Sequence, residues 1–124
     1  MQTIYYEDLL TVPFKKGGRD LKGLDCYGLC IELCRRNNKT LPDFTTFDTV
    51  NSDTEKERRT SFNEYVKQVE KPVQYGLIEY LNEDGDIHIG FVLNSKTYIH
   101  ATLQGVRITP IFAIKNPKFY EVIK

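Results

Sequence analysis

From Gly76 to the last residue, apolar and polar positions alternate in short runs. Gly76 to Leu81, Ile87 to Leu93, Thr97 to Thr102, Val106 to Phe112 and Phe119 to Ile123 read as strands, each with a face to bury. Asn82-Glu83-Asp84-Gly85 and Asn94-Ser95-Lys96 separate them with turn-forming residues. Upstream, the period is helical. Tyr27, Cys30, Ile31 and Cys34 form one stripe, widened by Leu29 and Leu33, and predict a largely buried helix from Cys26 to about Asn37. Asp25 is placed to cap it, and Arg35, Arg36 and Lys39 lie at its C-terminal end, where cations suit the helix dipole. Ser52-Asp53-Thr54-Glu55 has the form of a capping box. Phe62, Tyr65, Val66 and Val69 then repeat at helical spacing and predict a charged helix ended by Pro72. Tyr5 to Leu10 predicts a short helix before Pro13. Helices first and strands second is an α+β pattern: N-terminal helices packed on an antiparallel sheet of about five strands.

The 124 residues suit a single domain spanning 1–124. Apolar residues at 40% and charged residues at 27% are ordinary globular proportions. Basic and acidic residues balance to a formal net charge of zero, which gives no electrostatic reason to expect nucleic acid. No apolar run approaches the roughly 20 residues that span a bilayer, and no membrane span is expected. The first residues carry no secretory pattern, so the chain is expected to be made in the cytoplasm and carried outward, if at all, by other means.

All three cysteines, Cys26, Cys30 and Cys34, fall at four-residue intervals on the first long helix. Zinc sites favour paired, closer spacings with about four ligands, and redox pairs favour CxxC; neither is present, so no metal or cofactor is expected. Cys30 and Cys34 lie on the apolar stripe and are expected in the core. Cys26 is different. It stands where the helix begins, and the unpaired N–H groups and dipole there favour a thiolate. Gly23 and Gly28 flank it with small residues that would let a substrate backbone approach.

A nucleophilic thiol needs a base, and the chain has two histidines, His88 and His100. A three-residue loop at Asn94-Ser95-Lys96 would set Leu93 opposite Thr97 and put both histidines on one strand face. They become diagonal neighbours with Cα atoms roughly 7–8 Å apart. Gly90 lies between them and leaves room for another group. Ile87, Ile89, Phe91, Leu93, Ile99, Ala101 and Leu103 form the opposite, core-facing side. A thiol, a base and a group that orients the base are the parts of a thiol hydrolase.

Four motifs then occur in order: Pro13-Phe14-Lys15-Lys16-Gly17-Gly18, Gly23-Leu24-Asp25-Cys26-Tyr27-Gly28-Leu29, His88-Ile89-Gly90, and Tyr98-Ile99-His100-Ala101. Together they resemble the NlpC/p-sixty superfamily of papain-like cell-wall cysteine peptidases, over about Pro13 to Ile111. The resemblance implies a papain-like fold and hydrolysis of peptide bonds in peptidoglycan stem peptides, often a D-glutamyl to diamino-acid bond. It implies Cys26 as nucleophile, His88 as base and His100 as third polar residue, with Asp25, Tyr27 and Phe14 at the oxyanion site and substrate groove. Walls of that groove are expected from the 38–51 loop and the helix after it. The variant Gly18-Arg19-Asp20-Leu21-Lys22-Gly23-Leu24-Asp25-Cys26-Tyr27-Gly28-Leu29 looks most like members from tailed phages and prophages. That implies tail-tip proteins as partners and a phage-like tail as the location. Family members often have Tyr at the position of Phe14, Ser at that of Tyr27, and an acid after the glycine of Tyr75-Gly76-Leu77. Two other readings stay open: a tail-tip assembly or adaptor protein on the same scaffold, and a thiol amidase or acyltransferase on another substrate.

Overall fold

The computed structural model describes residues 3–43 and 52–124, apart from the side chains of 52–58. A 3₁₀ turn at Glu7–Thr11 leads to two short paired strands, β1 (Arg19–Asp20) and β2 (Gly23–Leu24), and then to helix α1 (Cys26–Arg36). Helix α2 (Ser52–Tyr65) runs directly into β3 (Val66–Val69). Then come β4 (Leu77–Leu81), β5 (Ile87–Val92), β6 (Thr97–Thr102), β7 (Gly105–Pro110), a 3₁₀ turn at Ile111–Ala113, and β8 (Lys118–Val122). Strands β3 to β8 form one sheet of six, in the order β3-β8-β4-β5-β6-β7, with antiparallel neighbours. None of the described helices is long and apolar enough to cross a membrane.

The α+β expectation holds, and four differences have clear causes. The helix expected to reach Pro72 stops at Tyr65, and Val66 to Val69 form a sixth strand. Val66 and Val69 are β-branched, which suits a strand, and β8 returns from the chain's end to pair with all four residues. A local period cannot reveal such a distant partner. The Tyr5–Leu10 helix is a 3₁₀ turn one to two residues further on, without a side-chain cap. Leu103, expected on the core face, is 79% exposed because it sits in the tight turn between β6 and β7. The histidine face is not open along its length: Ile78, Val92, Tyr98, Ile111 and Phe119 form a second small core there. The capping box at Ser52 and most of the 38–51 loop lie outside the described residues and side chains.

The main core lies between α1 and the other sheet face. Leu29, Cys30, Leu33 and Cys34 meet Ile89, Phe91, Ile99 and Leu77. Cys30 and Cys34 are 0% and 1% exposed. Burial pushes the Cys34 thiol up to about 12 and Cys30 well above its ordinary value, so both stay protonated and inert. Cys30→Ala is expected to cost about 1 kcal/mol through the small cavity it leaves, while Cys26 alkylates at the wild-type rate. Urea unfolding and iodoacetamide labelling check this pair of outcomes. A Cys30→Ala protein that folds normally yet loses all reactivity at Cys26 would refute the division between structural and reactive thiols.

Candidate active site

Asp25 organises the start of α1. Its backbone is extended and its Oδ1 accepts from the Gly28 N–H at 2.7 Å, an N-cap at the third helical residue. Oδ1 also accepts from Arg19 Nη1 at 2.7 Å, and Oδ2 accepts from the Gly17 N–H at 3.0 Å. Arg19 reaches on to Asp43 with its Nε at 2.7 Å. One carboxylate thus ties the glycine loop to the helix that begins with Cys26.

The glycines of this region serve that packing. A Cβ at Gly28 would collide with the Gly18 carbonyl, and one at Gly18 would collide with the Gly23 carbonyl. The space beside Gly23 is filled by the Lys15 side chain. Gly23 and Gly28 are therefore small because the chain packs against itself there, not because a substrate needs the room. Tyr27, expected at the groove, is also redirected. It is 0% exposed, packs against Phe62 in the core and donates its hydroxyl to the Pro42 carbonyl. On a helix, the residue after Cys26 points about 100° away, and here that direction is the core. Asp25, at 7% exposure, is spent on capping and on Arg19. Of the three groove residues expected, Phe14 alone lines the cleft.

The two histidines meet as the register required. The Leu93 N–H donates to the Thr97 carbonyl across a three-residue loop, and Phe91 pairs with Ile99 and Val92 with Tyr98. His88 Nε2 lies 2.8 Å from His100 Nδ1, with the rings edge to face. A Cβ at Gly90 would press on the Tyr98 ring at 2.6 Å, so the room there holds Tyr98. Cys26, His88 and His100 all line one open cleft of about 680 Å³, with Phe14 and Tyr80 beside them and Glu83, Asp84 and Asp86 at its hairpin rim. Cys26 is half-buried and none of the three cysteines is in a disulfide. With His88 Nε2 engaged by His100, Nδ1 is the ring nitrogen left to serve a group in the cleft.

An ordered motif set and a cleft that gathers one thiol and two imidazoles point to one family. The model of the NlpC/P60 family matches residues 11–121. The chain belongs to that family. Among solved structures, the chain is similar to the NlpC/p60 domain of the peptidoglycan hydrolase SagA, with a TM-score of 0.63 and 19% identity over 95% of this chain and 92% of that one. At that identity the likeness concerns the fold. No curated protein sequence matches the chain significantly.

Two further polar residues beside the paired histidines, Thr109 and Tyr80, are not marked by any motif in the sequence. Thr109 Oγ1 lies 2.8 Å from His100 Nε2, and the Tyr80 and Tyr98 hydroxyls are 2.8 Å apart, with the Tyr80 ring against His88. A signal for Thr109 existed. The two-residue turn Leu103-Gln104 sets Thr102 opposite Gly105 and so Tyr98 opposite Thr109, on the histidine face.

Burial holds His88 down at about 4; burial, His88 and Arg107 hold His100 at about 3. Both rings are therefore neutral at physiological pH. In the unfolded chain each would titrate near 6.5. As pH falls below that value the unfolded state takes up protons the folded state refuses, so stability falls until the folded pKa values are passed. His88→Gln removes one such group. The stability lost between pH 7 and pH 4.5 is expected to be smaller in His88→Gln by about 2 kcal/mol, read by urea unfolding at both values. Equal losses in the two proteins would contradict a neutral, buried His88.

Proposed function

We propose that this domain is a cysteine hydrolase that cleaves peptide bonds in bacterial peptidoglycan stem peptides. The observation that carries the reading is the cleft shared by Cys26 and the hydrogen-bonded pair His88–His100. Family membership and the likeness to a peptidoglycan hydrolase domain support the substrate class.

The chemistry follows from the groups present. His88 Nδ1 takes the proton of the Cys26 thiol, and the sulfur attacks the scissile carbonyl carbon. The Cys26 N–H, at the first position of α1, faces the developing oxyanion. His100 holds the His88 ring and, through its lone pair, stabilises the imidazolium. The proton passes from His88 to the departing amine, and the C–N bond breaks to leave a thioester on Cys26. Water activated by His88 then hydrolyses the thioester and frees the carboxylate and thiol.

The motif resemblance supports a D-glutamyl to diamino-acid bond as the target. The Gly18–Leu29 variant supports action within, or release from, a phage or phage-like tail, with tail-tip proteins as partners. The test is incubation with a muropeptide digest, with new amino termini read by mass spectrometry. A new terminus on the diamino acid is expected. No new terminus on any muropeptide, with tight binding to tail-tip proteins, would favour the assembly reading instead.

A further inference from the structure

His100 has two nitrogens, and both are engaged. Nδ1 meets His88 Nε2 at 2.8 Å and Nε2 meets Thr109 Oγ1 at 2.8 Å. A neutral imidazole carries one N–H and one lone pair. The line His88–His100–Thr109 therefore has two possible polarities. In the first, His88 Nε2–H donates to His100, His100 Nε2–H donates to Thr109, and His88 Nδ1 is a lone pair. In the second, Thr109 donates to His100, His100 donates to His88, and His88 Nδ1 carries a proton and cannot act as base.

The Thr109 hydroxyl proton decides between them. Thr109 Oγ1 sits 2.8 Å from His100 Nε2, and Thr109 lies opposite Tyr98 across β6 and β7; a threonine hydroxyl rotates and carries acceptor lone pairs beside its one proton. The Tyr98 ring stands 4.5 Å from that of His100. A Thr109 proton turned away from His100 leaves an oxygen lone pair facing Nε2. The other groups around His100 agree with a neutral ring: His88 on β5 and Arg107, opposite it on β7, both disfavour a cation there.

We propose that Thr109 is a positioning residue, which accepts from His100 Nε2–H and thereby keeps His88 Nδ1 unprotonated in the cleft it shares with Cys26. Its effect on turnover rests on the hydrolase reading; its effect on the tautomers does not. A hydroxyl accepts a hydrogen bond but not the proton itself. When His88 takes up a proton, the charge stays on the two rings.

The test compares wild type, Thr109→Val and Thr109→Ser in the full chain. Valine keeps the β-branched shape without the hydroxyl, and serine restores the hydroxyl. Nitrogen NMR of the imidazoles at neutral pH reads the tautomers directly. Wild type and Thr109→Ser are expected to show both rings protonated at Nε2, and Thr109→Val a mixture at both. Iodoacetamide labelling of Cys26 and kcat on a cleaved muropeptide are expected to fall about 10- to 100-fold in Thr109→Val with KM unchanged, the range typical when an orienting hydrogen bond is lost. Identical ring shifts and labelling rates in wild type and Thr109→Val would overturn the proposal. Wild-type His100 protonated at Nδ1 would overturn it without any variant. Shifted tautomers in a protein that cleaves no muropeptide would uphold the positioning role and defeat the hydrolase reading.

Discussion

Cys26→Ala is expected to lower kcat on a cleaved muropeptide by about 10⁴-fold or more, because no other group can form the covalent intermediate. The fold should survive. Cys26 is the first residue of α1, half-buried, and only borders the main core. Alanine is a good helix former, and Asp25 still caps the helix from the preceding position. Far-ultraviolet circular dichroism and thermal unfolding are therefore expected to match the wild type closely. His88→Gln should lose nearly as much activity, and the double variant little more, since nucleophile and base act as one unit. A Cys26→Ala protein that keeps more than a tenth of the wild-type rate would remove the thiol from the reaction.

Asp25→Ala is expected to be the most damaging single change to the framework, at about 3 kcal/mol and about 10 °C in Tm. Three hydrogen bonds to this carboxylate are lost at once, from the Gly28 N–H, the Gly17 N–H and Arg19 Nη1, the last of which also donates to the Gly18 carbonyl. The helix cap alone is worth about 1 kcal/mol, and the rest comes from N–H groups and a half-buried guanidinium left without this carboxylate. Asp25→Asn separates the parts. Its oxygen can still accept from Gly28 and Arg19, but its amide nitrogen meets the Gly17 N–H, donor against donor. An intermediate loss is expected by urea unfolding. A loss under about 0.5 kcal/mol for Asp25→Ala would show that the loop and helix hold together without this carboxylate.

The division between legible and hidden features has physical causes. The strands of the second half were legible because alternation, turn residues and a three-residue loop fix register locally. The loop at Asn94-Ser95-Lys96 alone was enough to bring His88 and His100 together. Helix α1 was legible because a cap residue, an apolar stripe and terminal arginines agree with one another. Strand β3 was hidden because its partner, β8, lies some fifty residues away, and nothing local distinguishes Val66 and Val69 on a helix from the same residues on an edge strand. The glycines near Cys26 are legible as small positions, but not what fills the space beside them. Smallness shows that something comes close, and only the fold shows that it is the Gly18 carbonyl and the Lys15 side chain. Tyr27 was misplaced for a similar reason: adjacency to Cys26 in sequence puts it on another side of the helix.

The most direct measurement is rapid acid quenching during turnover of a muropeptide, followed by intact-mass and peptide-mass analysis of the protein. If Cys26 is the nucleophile served by His88, the wild type should show an acyl adduct whose mass equals that of the released carboxyl fragment less one water. That adduct should map to the peptide containing Cys26 and be absent from Cys26→Ala. Turnover at the wild-type rate with no adduct at any time point, and equal turnover by Cys26→Ala, would contradict the thiol mechanism.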